Sequence, residues 1–413
     1  MLRLFYSIGI YIASLVLQVL SLFNKKIKLG ISGRKNTIKI LKNKISATDK
    51  TIWMHCASLG EFEQGLPVLQ ELKLKFPEYK TVVSFFSPSG YEIKKNAPDA
   101  DAVVYLPLDT PKNAKHFLNY VHPDLILFVK YEIWPNILLE AKKRDIKSLL
   151  ISATFRADQS YFKWYGSLMK KALFSFEHIF TQDKNSKELI ERIGYNSVSI
   201  SGDTRFDRVS NQLKIDNTVD FIEEFINNET TTIVFGSSWP ADDALFIPFI
   251  NSNEDNIKYI IAPHNVKASY IESLIKQLKV EAICFSNMKG ENLSEYKVFI
   301  IDTIGYLGKV YSYADVTYVG GAAGNTGLHN ILEPAVFGMP IIIGKKYQKF
   351  PEAKILVHLN GISVVENANE LNLTLSSLIK DEKQREAQGT INSDFVKNNK
   401  GAVRQILDYI STE

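Results

Sequence analysis

The sequence predicts an α/β protein built from two doubly wound, parallel-sheet domains behind an apolar N-terminal helix. Three observations carry that reading. Residues 4–23 form a twenty-residue stretch without a charge. Downstream, short β-rich apolar runs alternate with helical periods, the pattern of a parallel sheet covered on both faces. The alternation then restarts after a polar connector at 199–220. A length of 413 residues, 45% of them hydrophobic and 23% charged, suits two to three folded domains with sizeable cores.

The N-terminal stretch reads LFYSIGIYIASLVLQVLSLF, long enough to span a bilayer as a helix. Ser7, Ser14, Gln18 and Ser21 keep a monotopic or buried helix open as the alternative. No small-residue cleavage pattern follows, which argues against a signal peptide. Lys25, Lys26, Lys28, Arg34 and Lys35 come after it and Arg3 alone before it, so the positive-inside rule places the bulk of the chain in the cytoplasm.

In the first domain the β-rich runs are 51–57, 81–86, 102–106, 125–129, 148–153 and 178–181. Phe62, Leu66, Leu69, Leu72 and Phe76 recur at steps of three or four, an amphipathic helix after the first run. In the second domain the runs are 231–235, 259–262, 298–301, 316–319 and 340–343. Residues 380–403 read as a charged helical tail that can pack back on the first domain. The expected division is an anchor at 1–24, a first domain at 25–205 and a second at 206–413. In such sheets ligands bind beyond the carboxyl ends of the strands.

Lys and Arg exceed Asp and Glu by 49 − 45 = 4, too few to argue for nucleic acid. Two cysteines, Cys56 and Cys284, exclude a disulfide framework and a zinc knuckle. The histidines form neither H-x-x-x-H nor H-E-x-x-H, and no D-x-D is present, so no metal site is expected. Asp242-Asp243 reads more simply as a helix N-terminus. No G-x-S-x-G nucleophile elbow occurs.

Four motifs follow strands. Ser58-Leu59-Gly60-Glu61 joins a strand to the amphipathic helix. A carboxylate there can take a proton from a sugar hydroxyl, or it can serve in a capping box with Ser58. Glu132-Ile133-Trp134-Pro135-Asn136 sets an acid and an aromatic face at a strand end, which suits sugar recognition as well as a plain helix start. Gly236-Ser237-Ser238 lets backbone amides approach a phosphate, or is an ordinary turn. The loop from Gly320 and Gly321 through Gly327 to Asn330 and Glu333 leaves a strand for a helix, where amides and the helix dipole can hold an anion. It is neither a P-loop nor the dinucleotide fingerprint.

Together these residues resemble the bacterial Kdo transferases, which add 3-deoxy-D-manno-octulosonic acid (Kdo) to the lipid A precursor. The resemblance runs from the anchor and Gly33-Arg34 through the motifs at Glu61 and Glu132. It continues through 202–207, 236–238 and 302–305 to Gly320-Gly321 and 329–334. It implies a glycosyltransferase-B fold, two Rossmann-like domains facing each other across a cleft. It implies CMP-Kdo as donor, held mainly by the second domain, and a lipid A precursor of the lipid IVA type as acceptor at the first. It implies an inverting transfer without metal or separate cofactor, at the cytoplasmic side of the inner membrane, as part of lipopolysaccharide synthesis. Glu61 matches the family's proposed base, and Glu132 is the next acidic candidate. Asn330 and Glu333 match its nucleotide-binding motif. Gly236, Ser237, Ser238, Pro263, His264, Gly305, Gly320, Gly321 and Gly327 complete the expected donor site. One departure stands out. Where the family often shows P-R-H, this chain has Pro263-His264-Asn265, so an arginine expected near the donor phosphate is missing. His264, Asn265 and Lys267 are the available substitutes.

Three other readings compete: a nucleotide-sugar epimerase, a membrane-linked glycosyltransferase using a UDP-sugar, and a non-catalytic nucleotide-sugar-binding scaffold. The apolar helix argues against the first, and the presence of Glu61 and Glu333 against the last.

Overall fold

The structure is a computed structural model that describes residues 1–226 and 230–411. The chain forms two compact units, residues 1–208 with 400–413, and residues 209–399.

The first unit holds a parallel sheet of seven strands: β1 (Lys50–Cys56), β2 (Tyr79–Phe85), β3 (Ala102–Tyr105), β4 (Leu125–Val129), β5 (Lys147–Ala153), β6 (His178–Thr181) and β7 (Val198–Ile200). Their order is β3-β2-β1-β4-β5-β6-β7. The direction of winding reverses between β1 and β4, and there the open ends of two strands leave a crevice. The second unit has β8 (Thr231–Ser238), β9 (Ile257–Pro263), β10 (Ala282–Cys284), β11 (Val298–Ile300), β12 (Val316–Val319), β13 (Ile341–Gly344) and β14 (Ile362–Val365). These run β10-β11-β9-β8-β12-β13-β14, all parallel, with the reversal between β8 and β12. The inner strands are apolar on both faces because helices cover both, as β4 (LILFV, every residue buried) shows.

The strands β7, β10 and β14 were not anticipated. Each lies at or beside a sheet edge and has three or four residues. Segments this short carry little periodicity.

The polar connector is more than a linker. Its residues Ser201, Asp203 and Thr204 are buried, and a helix runs Thr204–Gln212. The Thr204 hydroxyl meets Ser152 Oγ at 2.8 Å and donates to the Gln64 carbonyl at 2.5 Å. The charged tail divides at Gly401, which takes φ +117°. Before it, the helix Glu382–Asn399 belongs to the second unit; after it, the helix Ala402–Ser411 belongs to the first. The cause is local: the Asp207 carboxylate accepts the N–H groups of Gly401 at 2.9 Å and Ala402 at 3.1 Å, capping the last helix. Residues 400–413 therefore leave the 206–413 block and join the first unit.

The N-terminal helix α1 (Leu2–Leu20) is, among the described residues, the one long and apolar enough to cross a membrane. It is not a separate anchor; it lies within the first unit. Arg3, Tyr6, Ser7, Ile10, Ser14 and Leu17 are its less exposed positions, spaced as one stripe down the whole helix. Near its start, Arg3 Nε donates to Asn136 Oδ1 at 2.7 Å, Tyr6 donates to Asp109 Oδ2 at 2.9 Å, and Asn136 Nδ2 donates to Ser7 Oγ at 3.2 Å. Fully buried Asp109 also accepts the N–H groups of Asn136 and Ile137, each at 2.9 Å, at the start of the helix Pro135–Lys143. The opposite face of α1 leaves Leu4, Phe5, Ile8, Ile12, Leu15, Val16 and Val19 exposed.

Helix α2 (Lys25–Lys44) follows, capped by Asn24. Its Arg34 is committed to the domain, donating to the carbonyls of Phe86 at 2.7 Å, Leu106 at 3.0 Å and Gly30 at 3.0 Å. Burial lowers that guanidinium to about 10. Lys25, Lys26, Lys28 and Lys35 remain exposed.

Candidate active site

Two acidic side chains stand where the first sheet reverses. Helix α3 (Leu59–Lys75) starts directly after β1, with Glu61 in its first turn. Only half of the capping box forms. The Ser58 side chain makes no capping bond, while the Glu61 carboxylate reaches back to accept the N–H groups of Ala57 and Ser58. After β4 the backbone turns through Lys130 at φ +68°, which presents Glu132. Glu132 Oε2 accepts the Trp134 indole N–H at 2.9 Å and lies 3.6 Å from His55 Nε2. Trp134 packs on Phe86 with ring centroids 4.8 Å apart. This tryptophan thus positions an acid, a role distinct from the sugar-facing one expected of the motif. Asn136 is likewise structural, held by Asp109.

Burial, then the Glu132 charge, pushes the Glu61 carboxyl up to about 7, against the two backbone donors and Lys130. A carboxyl that titrates near neutrality can both gain and lose a proton under working conditions. The same surroundings push the thiol of buried Cys56 up, through burial first and then Glu61 and Glu132, leaving it inert.

The second unit gathers most of the other expected residues at its own reversal point. The end of β8 carries Ser237 at φ +55°, where its register with β9 shifts. Gly320 N donates to the Gly236 carbonyl at 2.9 Å, and His264 N to the Ser238 carbonyl at 3.0 Å. A side chain on Gly320 would strike the Ser237 backbone, so only glycine permits this approach. Gly321 takes φ +98°, and a Cβ there would collide with the Gly327 carbonyl. Asn330 Nδ2 donates to Glu333 Oε1 at 3.2 Å. Gly305, exposed and at φ +106°, lies in the segment after β11 that leads to Leu307, whose side chain approaches Gly236.

Two features were missed from the sequence. The first is Asp242, read there as a mere helix start. It is fully buried, and its carboxylate accepts from Gly321 N at 2.8 Å, Trp239 N at 2.9 Å and the Tyr318 hydroxyl at 2.8 Å. It thereby joins the β8 turn to the glycine-rich loop after β12. The second is a stack of three rings. Trp239 lies 4.6 Å from His264, and His264 4.4 Å from His329, with interplanar angles of 24° and 29°. Trp239 Nε1 donates to His329 Nε2 at 2.9 Å. An indole nitrogen is only a donor, so His329 is neutral with its proton on Nδ1. Burial, then His264, lowers His329 to about 4. Burial lowers His264 as well, so the stack offers a polar, uncharged wall where a cation was expected.

One expectation needs correction. The helix expected after the glycine-rich loop is present but short, Leu332–Ala335. Four residues carry no appreciable macrodipole, so the groups able to meet an anion here are the loop's amides and Lys346, whose ammonium reaches Asn325 Oδ1 at 2.6 Å. Among the described residues no three His, Cys, Asp or Glu side chains gather as a metal site would require.

Glu333→Ala is expected to weaken CMP binding about 10- to 100-fold, as loss of a hydrogen bond to a charged group does. Calorimetry on the folded variant checks it; unchanged affinity with lowered thermal stability would make Glu333 a packing residue.

Two parallel Rossmann-like units, with these groups at their reversal points, give the chain the glycosyltransferase-B fold. Residues 31–208 match the family model described as 3-deoxy-D-manno-octulosonic-acid transferase (kdotransferase). The chain is 26% identical to a 3-deoxy-D-manno-octulosonic acid transferase of Haemophilus influenzae, covering 87% of this chain and 86% of that protein. It is 28% identical to the transferase of that name from Aquifex aeolicus, covering 82% and 90%. Residues 31–208 thus match the Kdo transferase family, and the similarity to these two transferases extends over most of the chain. In fold it is similar to the UDP-GlcNAc 2-epimerase of Neisseria meningitidis, with a TM-score of 0.63, 16% identity and coverage of 88% and 100%. It is also similar to MurG of Acinetobacter baumannii, with a TM-score of 0.55, 11% identity and coverage of 88% and 100%.

Proposed function

We propose that this protein moves Kdo from CMP-Kdo to a lipid A precursor of the lipid IVA type, at the cytoplasmic leaflet of the inner membrane. The observation that carries the reading is Glu61, a buried carboxyl titrating at about 7 where the first sheet reverses. In the proposed step an acceptor sugar hydroxyl attacks the anomeric carbon of Kdo from the face opposite CMP. The new glycosidic C–O bond forms, the C–O bond to the CMP phosphate breaks, and the hydroxyl proton passes to Glu61 Oε. The phosphate leaves as CMP, its charge met by loop amides between Gly321 and Gly327 and by Lys346. Glu333 and Asn330 hold the ribose, and Pro263 and His264 wall the donor with Trp239 and His329.

The apolar face of α1 and the exposed lysines of α2 support attachment to an anionic leaflet. The bonds that Arg3, Tyr6 and Ser7 make to the domain at one end of α1 support a helix lying in the leaflet rather than crossing it. The test of function is a donor screen on the purified full-length chain with a detergent-dispersed lipid A precursor. CMP-Kdo is expected to yield Kdo-modified lipid and free CMP. Turnover of a UDP-sugar with none of CMP-Kdo would overturn the reading.

A further inference from the structure

The start of α1 is tied to the first unit by Arg3, Tyr6 and Ser7. Further along, the same stripe stands off from the domain. Ser14 and Leu17 form one wall of a half-open groove of about 240 Å³. The other walls are Ile31, Arg34, Lys35 and Ile38 of α2, with Leu108 after β3 and His116 on the helix Pro111–Val121. A pocket for a drug-sized ligand runs to roughly 300–1,000 Å³, so this groove has room for a chain end and not for a whole lipid. Its lining is mostly apolar, and no Asp or Glu belongs to it. Arg34 gives three N–H groups to the carbonyls of Gly30, Phe86 and Leu106. A guanidinium has five, so two are left over, and neutral carbonyls do not cancel its charge. Burial lowers it to about 10, with no carboxylate to offset that. A desolvated cation without a counter-ion is costly, and an anion arriving in the groove would relieve the cost.

We propose that this groove receives one acyl chain of the acceptor lipid, with the lipid's phosphate held by Lys35 and Arg34. Two contacts of the groove single out the acceptor. On the membrane side, Gln18 lines the groove and is exposed, three residues from Leu15 on the outward face of α1, so a chain has a path from leaflet to groove. On the catalytic side, the Arg34 guanidinium lies over the Phe86 ring, 4.5 Å from its centroid. Phe86 packs on Trp134 at 4.8 Å, and Trp134 donates to Glu132 at 2.9 Å. Two rings therefore separate the groove from the acids after β1 and β4. A bulk phospholipid shares the chemistry of an acyl chain beside a phosphate, but it has no reason to lie within two rings of Glu132. The acceptor must do both, entering from the leaflet and presenting a hydroxyl to Glu61. The inference deepens the proposed acceptor reading and rests on it.

The test follows the methyl groups of Ile31 and Ile38 by NMR in the full-length chain, held in a neutral detergent. Added lipid IVA should shift both methyls saturably, and phosphatidylglycerol at equal charge should not. Equal shifts with both lipids would make the groove a general lipid slot and overturn its assignment to the acceptor. No shift with either would overturn it as a lipid site. Two variants carry the test to turnover. Ser14→Phe fills the groove, and Lys35→Glu reverses its charge at an exposed position where folding is not at stake. Each should raise the KM for detergent-dispersed lipid IVA by about 10-fold or more, with kcat and CMP affinity kept, as loss of uniform binding in an apolar slot does. An unchanged KM in both folded variants would overturn the inference and leave the proposed function standing. If lipid IVA shifts the methyls and CMP-Kdo gives no transfer, the groove stands and the proposed function fails.

Discussion

Glu61→Gln is expected to cut Kdo transfer by about 10²–10⁴-fold while the chain stays folded and keeps its affinity for CMP. An amide cannot take a proton at neutral pH, so the attacking hydroxyl loses its base. The fold has little reason to fail. Gln keeps one carbonyl oxygen to accept the N–H groups of Ala57 and Ser58, and α3 relies on packing through Phe62, Val68, Leu69 and Leu72. The donor groups all stand on the other unit, so calorimetry with CMP should give wild-type affinity.

The same variant has a signature in stability. The folded carboxyl titrates at about 7, above its ordinary value of 4.5. The folded state therefore holds a proton that the unfolded chain gives up between those values. The stability this contributes is fully present below about 4.5 and is lost as pH rises through about 7. Glu61→Gln removes the titration, so its melting temperature should gain on wild type as pH is raised from 5 to 8. Near-normal turnover in a folded Glu61→Gln chain would reduce Glu61 to a capping residue and leave Glu132 as the next acid to test.

Much of this site was legible because it obeys a topological rule. Glu61 and Glu132 follow β1 and β4, Gly236 lies at the end of β8, and the Gly320 turn follows β12. Those are the strand pairs flanking the two reversals, where doubly wound sheets bind ligands. The order of apolar runs already contained the strands, although pairing of β1 with β4 depends on contacts distant in sequence. What the chain's linear pattern could not show was partnership. Asp242 has the look of any acid in a first helical turn; only the fold brings the Gly321 amide and the Tyr318 hydroxyl to it. His55 sits in an apolar run as an ordinary core histidine would, and its meaning depends on Glu132, 77 residues further along by number (132 − 55). The Trp239–His264–His329 stack combines three separate loops, so no local spacing announces it. Conversely, the helix expected after the glycine loop stays short for a local reason: Gly338, at φ +74°, follows it within three residues.

The paired substitution Ile12→Glu with Val16→Glu is expected to move the protein from the membrane to the soluble fraction. Both side chains lie on the outward face of α1, 57% and 51% exposed. Neither touches the stripe that ties the helix to the domain, so folding should survive. Inserting a large aliphatic side chain contributes about 1.5–3 kcal/mol, and losing two lowers partitioning by about 10²-fold or more. The added carboxylates are further repelled by an anionic leaflet. Activity should fall on membrane-embedded acceptor and persist on acceptor dispersed in detergent, because Glu61 and the donor groups are untouched. Tyr6→Phe provides the contrast. It breaks the bond to Asp109 and should lower thermal stability while leaving membrane recovery intact. The in-plane placement has its own check: a cysteine placed at Leu2 should resist an impermeant thiol reagent applied from the periplasmic side. Labelling there would show that α1 crosses the bilayer and that its contacts with Asp109 and Asn136 are given up in the membrane. Unchanged membrane recovery of the double glutamate variant would place the attachment on another surface, with the exposed lysines of α2 the first to examine.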